Sequence, residues 1–208
     1  MKYVLSRTPI WPVLAFAMAL VLAGCSSSFK SDVARFHQLP RPSGETFVIE
    51  AKDPQKQGSL EFAQYASGIA ARLSALGYRQ AERGAMPDLV VKLDYYVDDG
   101  QVETRSYGSG FYGGYYHRYD PWFWGYPGYY DRDIRSYVMY NRRLEMDIER
   151  ASGSDKGQRL FEGRVESRGR DNRLPEVMPY LIEALFKDFP GQSGITQRII
   201  IKEDEGGY

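Results

Sequence analysis

Pro87-Asp88-Leu89-Val90-Val91-Lys92-Leu93-Asp94-Tyr95-Tyr96-Val97 is the stretch that decides the fold class. Leu89, Val91, Leu93, Tyr95 and Val97 fall on one side of an extended chain, and Lys92 and Asp94 fall on the other. A period of two with one apolar side describes a strand that lies half-buried on a core. Leu144-Glu145-Met146-Asp147-Ile148 repeats the pattern downstream. Ser152 to Gly157, rich in glycine and serine, reads as a hairpin loop leading to a partner strand, Leu160 to Ser167. Asp98-Asp99-Gly100 reads as a turn or a bulge, after which Gln101 to Ser106 continues the strand or pairs with it.

Two segments carry the helical period instead. Phe62, Ala66, Ile69, Leu73 and Leu76 form one apolar stripe over about Leu60 to Leu76. Ser59 is placed to cap its start, and Gly77-Tyr78 to stop it in a Schellman turn. Val177, Leu181, Leu185 and Phe189 form a second stripe, with Pro175 and Pro179 near its start and Pro190-Gly191 at its end. Thr46 to Ala51 and Val33 to Leu39 add strand character early in the chain, and Ile195 to Lys202 reads as an edge strand or a tail. The expected fold is α+β: an antiparallel sheet with two amphipathic helices packed on it, plus a long loop rich in glycine and aromatic residues.

The N-terminus carries an address. Lys2 and Arg7 precede an apolar run of thirteen residues, Ile10 to Leu22. A spanning helix needs ~20 apolar residues, so this run reads as a signal peptide. Leu22-Ala23-Gly24-Cys25 resembles a bacterial lipobox and holds the only cysteine of the chain. The resemblance implies that residues 1–24 are removed and that Cys25 is lipidated. Several acyl chains on one residue hold a protein on a membrane. Ser26, where an aspartate favours inner-membrane retention, points to an outer-membrane protein facing the periplasm. Residues 25–31 then read as a lipid-anchored tether, 32–202 as a single domain with an insertion at 106–131, and 203–208 as a flexible tail.

Composition excludes some functions. Without residues 1–24 the chain has 25 basic and 27 acidic residues, a net charge of −2. Nucleic-acid binding, which needs a basic stripe, is not expected. With Cys25 lipidated no thiol remains, so packing rather than disulfides must stabilise the domain.

From Tyr107 to Tyr130, twelve of twenty-four residues are aromatic and six are glycine. Neither period fits, so the segment reads as a long loop at a hairpin tip. Tyr112, Tyr115, Tyr116, Tyr119, Trp122, Phe123, Trp124 and Tyr126 are its candidate contact residues. Three readings stand side by side: a loop without a ligand, a contact with a membrane surface, where Tyr and Trp suit the headgroup region, and a platform for an envelope protein or glycan.

Together, Leu76-Gly77-Tyr78 followed by Pro87-Asp88-Leu89-Val90-Val91, then Leu144 to Ile148, Leu160-Phe161-Glu162-Gly163-Arg164 and the helix before Phe189-Pro190, resemble bacterial lipoproteins carrying the domain of unknown function 4136. The resemblance covers roughly Phe36 to Gly191. It implies a lipid-anchored α+β domain of the cell envelope, often with a Gly/Tyr-rich insertion, and supplies no catalytic residues.

No chemistry is legible. His37 reads as structural, and His117 with Asp120 falls short of the three or four ligands a metal site needs. Gly108-Ser109-Gly110 lacks the frame of a nucleophile elbow. Arg164, Arg168, Arg170 and Arg173 interleave with Glu162, Glu166 and Asp171; they read as a solvated face, or as a rim that meets anionic envelope glycan. The expected function is a non-enzymatic binding or scaffold module without cofactor or metal. The alternative is an envelope enzyme acting on glycan or lipid, which needs two carboxylates about a cleft.

Overall fold

A computed structural model describes residues 28–107 and 133–202. By its internal contacts the chain divides into two units. One is residues 30–199, which holds both helices and the body of the sheet. In the other, residues 1–29 with 200–208, the structure describes the strand residues 28–29 and 200–202.

Eight strands and two helices follow one another among the described residues: β1 (Ser28–His37), β2 (Thr46–Ala51), α1 (Leu60–Ala75), β3 (Arg79–Gln80), β4 (Leu89–Val97), β5 (Gln101–Tyr107), β6 (Asp133–Arg150), β7 (Arg159–Gly169), α2 (Leu174–Phe186) and β8 (Ile195–Lys202). The sheet order is β3-β2-β4-β6-β7-β1-β8, with β5 paired to β6 off this path. β1 begins inside the stretch expected as tether, and β5 and β6 take in the first residues of the expected insertion and its far flank.

The expected antiparallel sheet with two helices on it is overturned. Strand dominates the structure, and the sheet is mixed: β2 runs parallel to both β3 and β4, while β4, β6, β7 and β1 alternate in direction. The cause is α1. A helix between two strands returns the chain to the end it started from, so the strands it joins lie parallel.

α1 starts and stops on local chemistry. Ser59 Oγ accepts a hydrogen bond from the Phe62 amide at 3.1 Å. At the other end the Tyr78 amide donates to Leu73 and the Gly77 amide to Ser74, the two bonds of a Schellman turn. Gly77 takes the left-handed backbone, φ +104°, that this turn needs. α2 ends at Phe186, three residues short of the apolar stripe. Phe189 lies beyond the helix and packs its ring 4.9 Å from that of Phe161.

Leu93 of β4, Met146 of β6 and Gly163 of β7 are successive neighbours across the sheet, as are Tyr95, Leu144 and Val165. With Val91, Ile148 and Phe161 they form the buried sheet side of the core. Ile69 and Leu73 of α1 and Met178, Leu181 and Leu185 of α2 are buried with them. Gly163 leaves room for this packing, since a Cβ there would stand 2.5 Å from the Phe161 ring and 2.9 Å from Leu185.

Candidate functional site

β4 and β5 are one strand interrupted. Both lie along the same edge of β6, β4 against Arg142–Arg150 and β5 against Asp133–Met139. The Asp98-Asp99-Gly100 stretch between them is therefore a bulge and not a turn. Asp98 fixes it: its Oδ1 accepts from the amides of Gly100 at 3.1 Å and Asn141 at 2.8 Å, and its Oδ2 from Asn141 Nδ2 at 2.6 Å. These bonds, the Asn141 amide first, hold the Asp98 carboxyl below the usual carboxylate range. Gly100 sits at φ +80°, and a Cβ there would meet Val138 at 2.6 Å.

Beyond the bulge the sheet narrows to two strands. β7 pairs with β6 only as far as Tyr140↔Gly169. Residues 133–139 pair with β5 alone among the described residues. Seven residue pairs at about 3.3 Å per residue give an arm about 20 Å long. Val102 and Val138 are partners on one side of it and are 71% and 38% exposed. On the other side the Arg170 guanidinium stands 4.4 Å and that of Arg105 5.6 Å from the Tyr137 ring centroid. Arg168 at the end of β7 pairs with Glu103 at 2.6 Å.

The sheet face turned away from the core continues that second side as rows of charge. Arg143 bonds Glu166 at 2.6 Å and lies 4.9 Å from the Tyr96 ring. Arg198 grips Asp32 through two bonds of 2.9 and 3.1 Å. Glu145 meets Lys52, Arg143 and Arg164 within 3.5 Å, and Lys92 bonds Glu149 at 2.7 Å. Ion pairs that reach solvent in this way add little to stability. Their effect is therefore on register and on what can dock rather than on stability. A groove of about 450 Å³ crosses this face near the arm, with Lys30, Asp32, Tyr96, Arg143, Glu166 and Arg198 among its lining. Asp32 and Glu166 are cross-strand neighbours there. Arg198 holds Asp32 below the usual carboxylate range, the opposite of what a general acid of a glycosidase pair needs.

The arginines grouped in the sequence are thus spread over separate partners: Arg164 on Glu145, Arg168 on Glu103, Arg170 on Tyr137, and Arg173 on Asp171 and Glu176. Cys25 and the eight aromatic residues from Tyr112 to Tyr126 lie outside the described residues, as does His117. His37 Nε2 lies 3.1 Å from the Gly191 carbonyl, a structural contact. Among the described residues no three His, Cys, Asp or Glu side chains gather as a metal ion would require.

Sequence reasoning missed Arg35. It is 2% exposed and its Nη2 donates to the carbonyls of Ala184, Leu185 and Lys187 at 2.9–3.0 Å. A cation thereby caps the C-terminal end of α2, where orphan carbonyls and the helix dipole favour positive charge. Burial pulls the guanidinium pKa down, and the Asp188 carboxylate opposes that shift. Parity could have found it, since Arg35 shares its strand side with Val33.

The family described as Domain of unknown function (DUF4136) matches residues 31–191. The chain belongs to that family. The DUF4136 span opens at Ser31, the first β1 residue paired with β7, and closes at Gly191, where a Cβ would stand 2.5 Å from the Arg35 guanidinium. An uncharacterised protein of Zymomonas mobilis subsp. mobilis is 26% identical over 227 aligned positions, which cover 88% of this chain and 84% of that protein. Among solved structures, a PDZ domain protein from Parabacteroides distasonis aligns with a TM-score of 0.47 and 14% identity over 91% of this chain. This chain spans only 42% of the length of that one. A PelC dodecamer subunit from Paraburkholderia phytofirmans aligns at TM-score 0.37 and 16% identity, over 74% of this chain and 94% of the other. The arm and the charged sheet face both lie within the DUF4136 span.

Proposed function

We propose that this protein is a lipid-anchored lipoprotein of the cell envelope, held on the outer membrane and facing the periplasm, where it acts as a non-enzymatic binding or scaffold module. The observation that carries the reading is Leu22-Ala23-Gly24-Cys25 behind a basic start and a thirteen-residue apolar run. The charged face supports a binding role over catalysis. Asp32 and Glu166, its adjacent carboxylates, are each engaged by an arginine, an arrangement that favours docking by complementary charge.

Metabolic labelling with an alkynyl fatty acid tests the anchor. The wild-type chain is expected to take up the label and to sediment with outer membranes, and Cys25→Ser to lose both properties. An unlabelled wild-type chain in the soluble fraction would sink the reading. Crosslinking in intact cells then identifies what the module binds.

A further inference from the structure

We infer that this protein forms a twofold dimer through its arms, with β5 of one copy paired antiparallel to β5 of a second copy. The outer edge of β5 is where the inference starts. Among the described residues β5 pairs with β6 alone, in seven unbroken steps. The same edge is closed one strand earlier, on β4. There the Lys52 amide donates to the Leu93 carbonyl at 2.8 Å, and Lys56 Nζ donates to the Tyr95 carbonyl at 2.6 Å. Natural sheets guard an open edge with lysine, proline or a bulge. Neither 101–107 nor 133–139 holds a lysine or a proline, and the bulge at Asp98-Asp99-Gly100 precedes the ladder. A two-stranded ribbon is marginal in water, whereas two arms joined edge to edge make four strands.

Charge complementarity selects the partner and the register. Glu103 and Arg105 fall on one side of β5, and Thr104 falls between them on the other. With two copies antiparallel about an axis at Thr104, Glu103 of each copy faces Arg105 of the other, and Thr104 faces Thr104. Opposite charges and paired threonines directly across a ladder are favourable. An axis at Glu103 sets two carboxylates opposite each other, and an axis at Arg105 sets two guanidinium groups opposite each other; both are unfavourable. The edge is thus complementary to itself in one register, as an isologous interface requires. Arg168 bonds Glu103 within the chain at 2.6 Å. A carboxylate accepts several bonds and a guanidinium has five donors, so Arg105 of the second copy joins this pair and does not replace it. The far edge of β6 lacks such a match. An axis at Ser136 faces Arg135 with Tyr137, over which Arg170 already stands. A junction of one strand per copy is small beside the ~800 Å² per partner of a standard interface, so the dimer dissociates on dilution.

Disulfide crosslinking of the full chain in detergent micelles reads the register. At the axis the two copies of residue 104 stand about 4.5–5.5 Å apart between Cα atoms, within disulfide reach. Residue 102 is offset from its own counterpart by four positions, or about 13 Å, which is out of reach. Val102 is 71% exposed, so its thiol variant is no less accessible to collision. Under mild oxidation Thr104→Cys is expected to give a crosslinked dimer whose yield rises with protein concentration. Val102→Cys, and the wild type with Cys25 alone, are expected to give little. Added to Thr104→Cys, E103R or R105E sets like charges across the axis, and each is expected to lower the yield several-fold. Mixing the two charge variants restores both opposite-charge pairs, so crosslinking between differently tagged copies is expected to return. A yield at residue 104 no higher than at residue 102 overturns the inference, and that comparison does not depend on how the charge variants fold. A mixture that crosslinks no better than either charge variant by itself also overturns it. Neither result bears on the anchor, which is read by labelling.

Discussion

β6 is one strand with two fates. Its inner half, Arg142–Arg150, runs between β4 and β7 and buries Leu144, Met146 and Ile148. Its outer half, Asp133–Met139, pairs only with β5 among the described residues and leaves Val138 exposed. Both halves alternate and both make a complete ladder on one edge. The difference lies in neighbours: two strands and a helix layer in one case, a single strand in the other. Strand character therefore sets the local backbone, and the number of partners sets whether the same backbone is core or arm. A two-stranded ribbon is marginal by itself in water, so the arm draws its order from the bulge and from Arg168 and Arg170 at its base.

Truncating each half separates them most sharply. Leu144→Ala is expected to destabilise the domain by about 2–5 kcal/mol, because Leu144 is fully buried and its truncation leaves a cavity in the core. Val138→Ala, on the arm, is expected to cost less than about 1 kcal/mol on the same urea curve, as truncations away from the core do. Equal losses would mean that the arm is part of the cooperative core. Gly163→Ala comes next. Its new methyl meets Phe161 and Leu185, and overpacking of this kind costs about 1–3 kcal/mol, read as a lowered urea midpoint with unchanged slope.

Gly100→Ala attacks the junction instead. A left-handed alanine costs about 1–2 kcal/mol, and the clash with Val138 adds to it. The loss should stay local: amide exchange is expected to quicken at Val102–Arg105 and Arg135–Met139 while Leu144 and Met146 keep their protection. Uniform quickening would contradict a separable arm.

The smallest effect is in pH. Asp98 has a depressed carboxyl pKa in the folded protein, owing first to the Asn141 amide and then to its side chain. Its contribution is therefore present above the unfolded value of about 3.9 and is lost as pH falls through the lower folded value. The stability gap between the wild type and Asp98→Asn, followed by thermal unfolding, is expected to be constant near neutrality and to shrink below about pH 4. A gap that widens in acid would reverse the sign assigned to Asp98.

The parts of this fold that depend on neighbouring residues were legible. Leu89–Val97 announced both its strand and its buried side, and Ser59 and Gly77-Tyr78 announced both ends of α1. What depends on a partner far along the chain was not. The bulge at Asp98 could not be told from a turn, because the difference lies in Asn141, forty-three residues on. The stripe of α2 overran its end, since Phe189 belongs to the core through Phe161 and not through the helix. Arg35 is a surface residue by type and a buried cap by position, because three carbonyls converge on it. The arginine group of β7 and the loop after it looks continuous in sequence and is divided among separate carboxylates and a tyrosine ring.

The sequence by itself determined strand character in β1, β2, β4, β6 and β7, both apolar helix stripes, the caps of α1, the balance of charge and the cysteine behind its apolar run. These follow from steric period, local hydrogen bonding and composition, which act over a few residues. Only the tertiary structure decided that β2 and β4 run parallel, that β4 and β5 are one bulged strand, and that β6 outruns the sheet to form an arm on the side where β1 enters. Those facts follow from pairing between distant segments. A ladder does not record in either strand which partner the other will be.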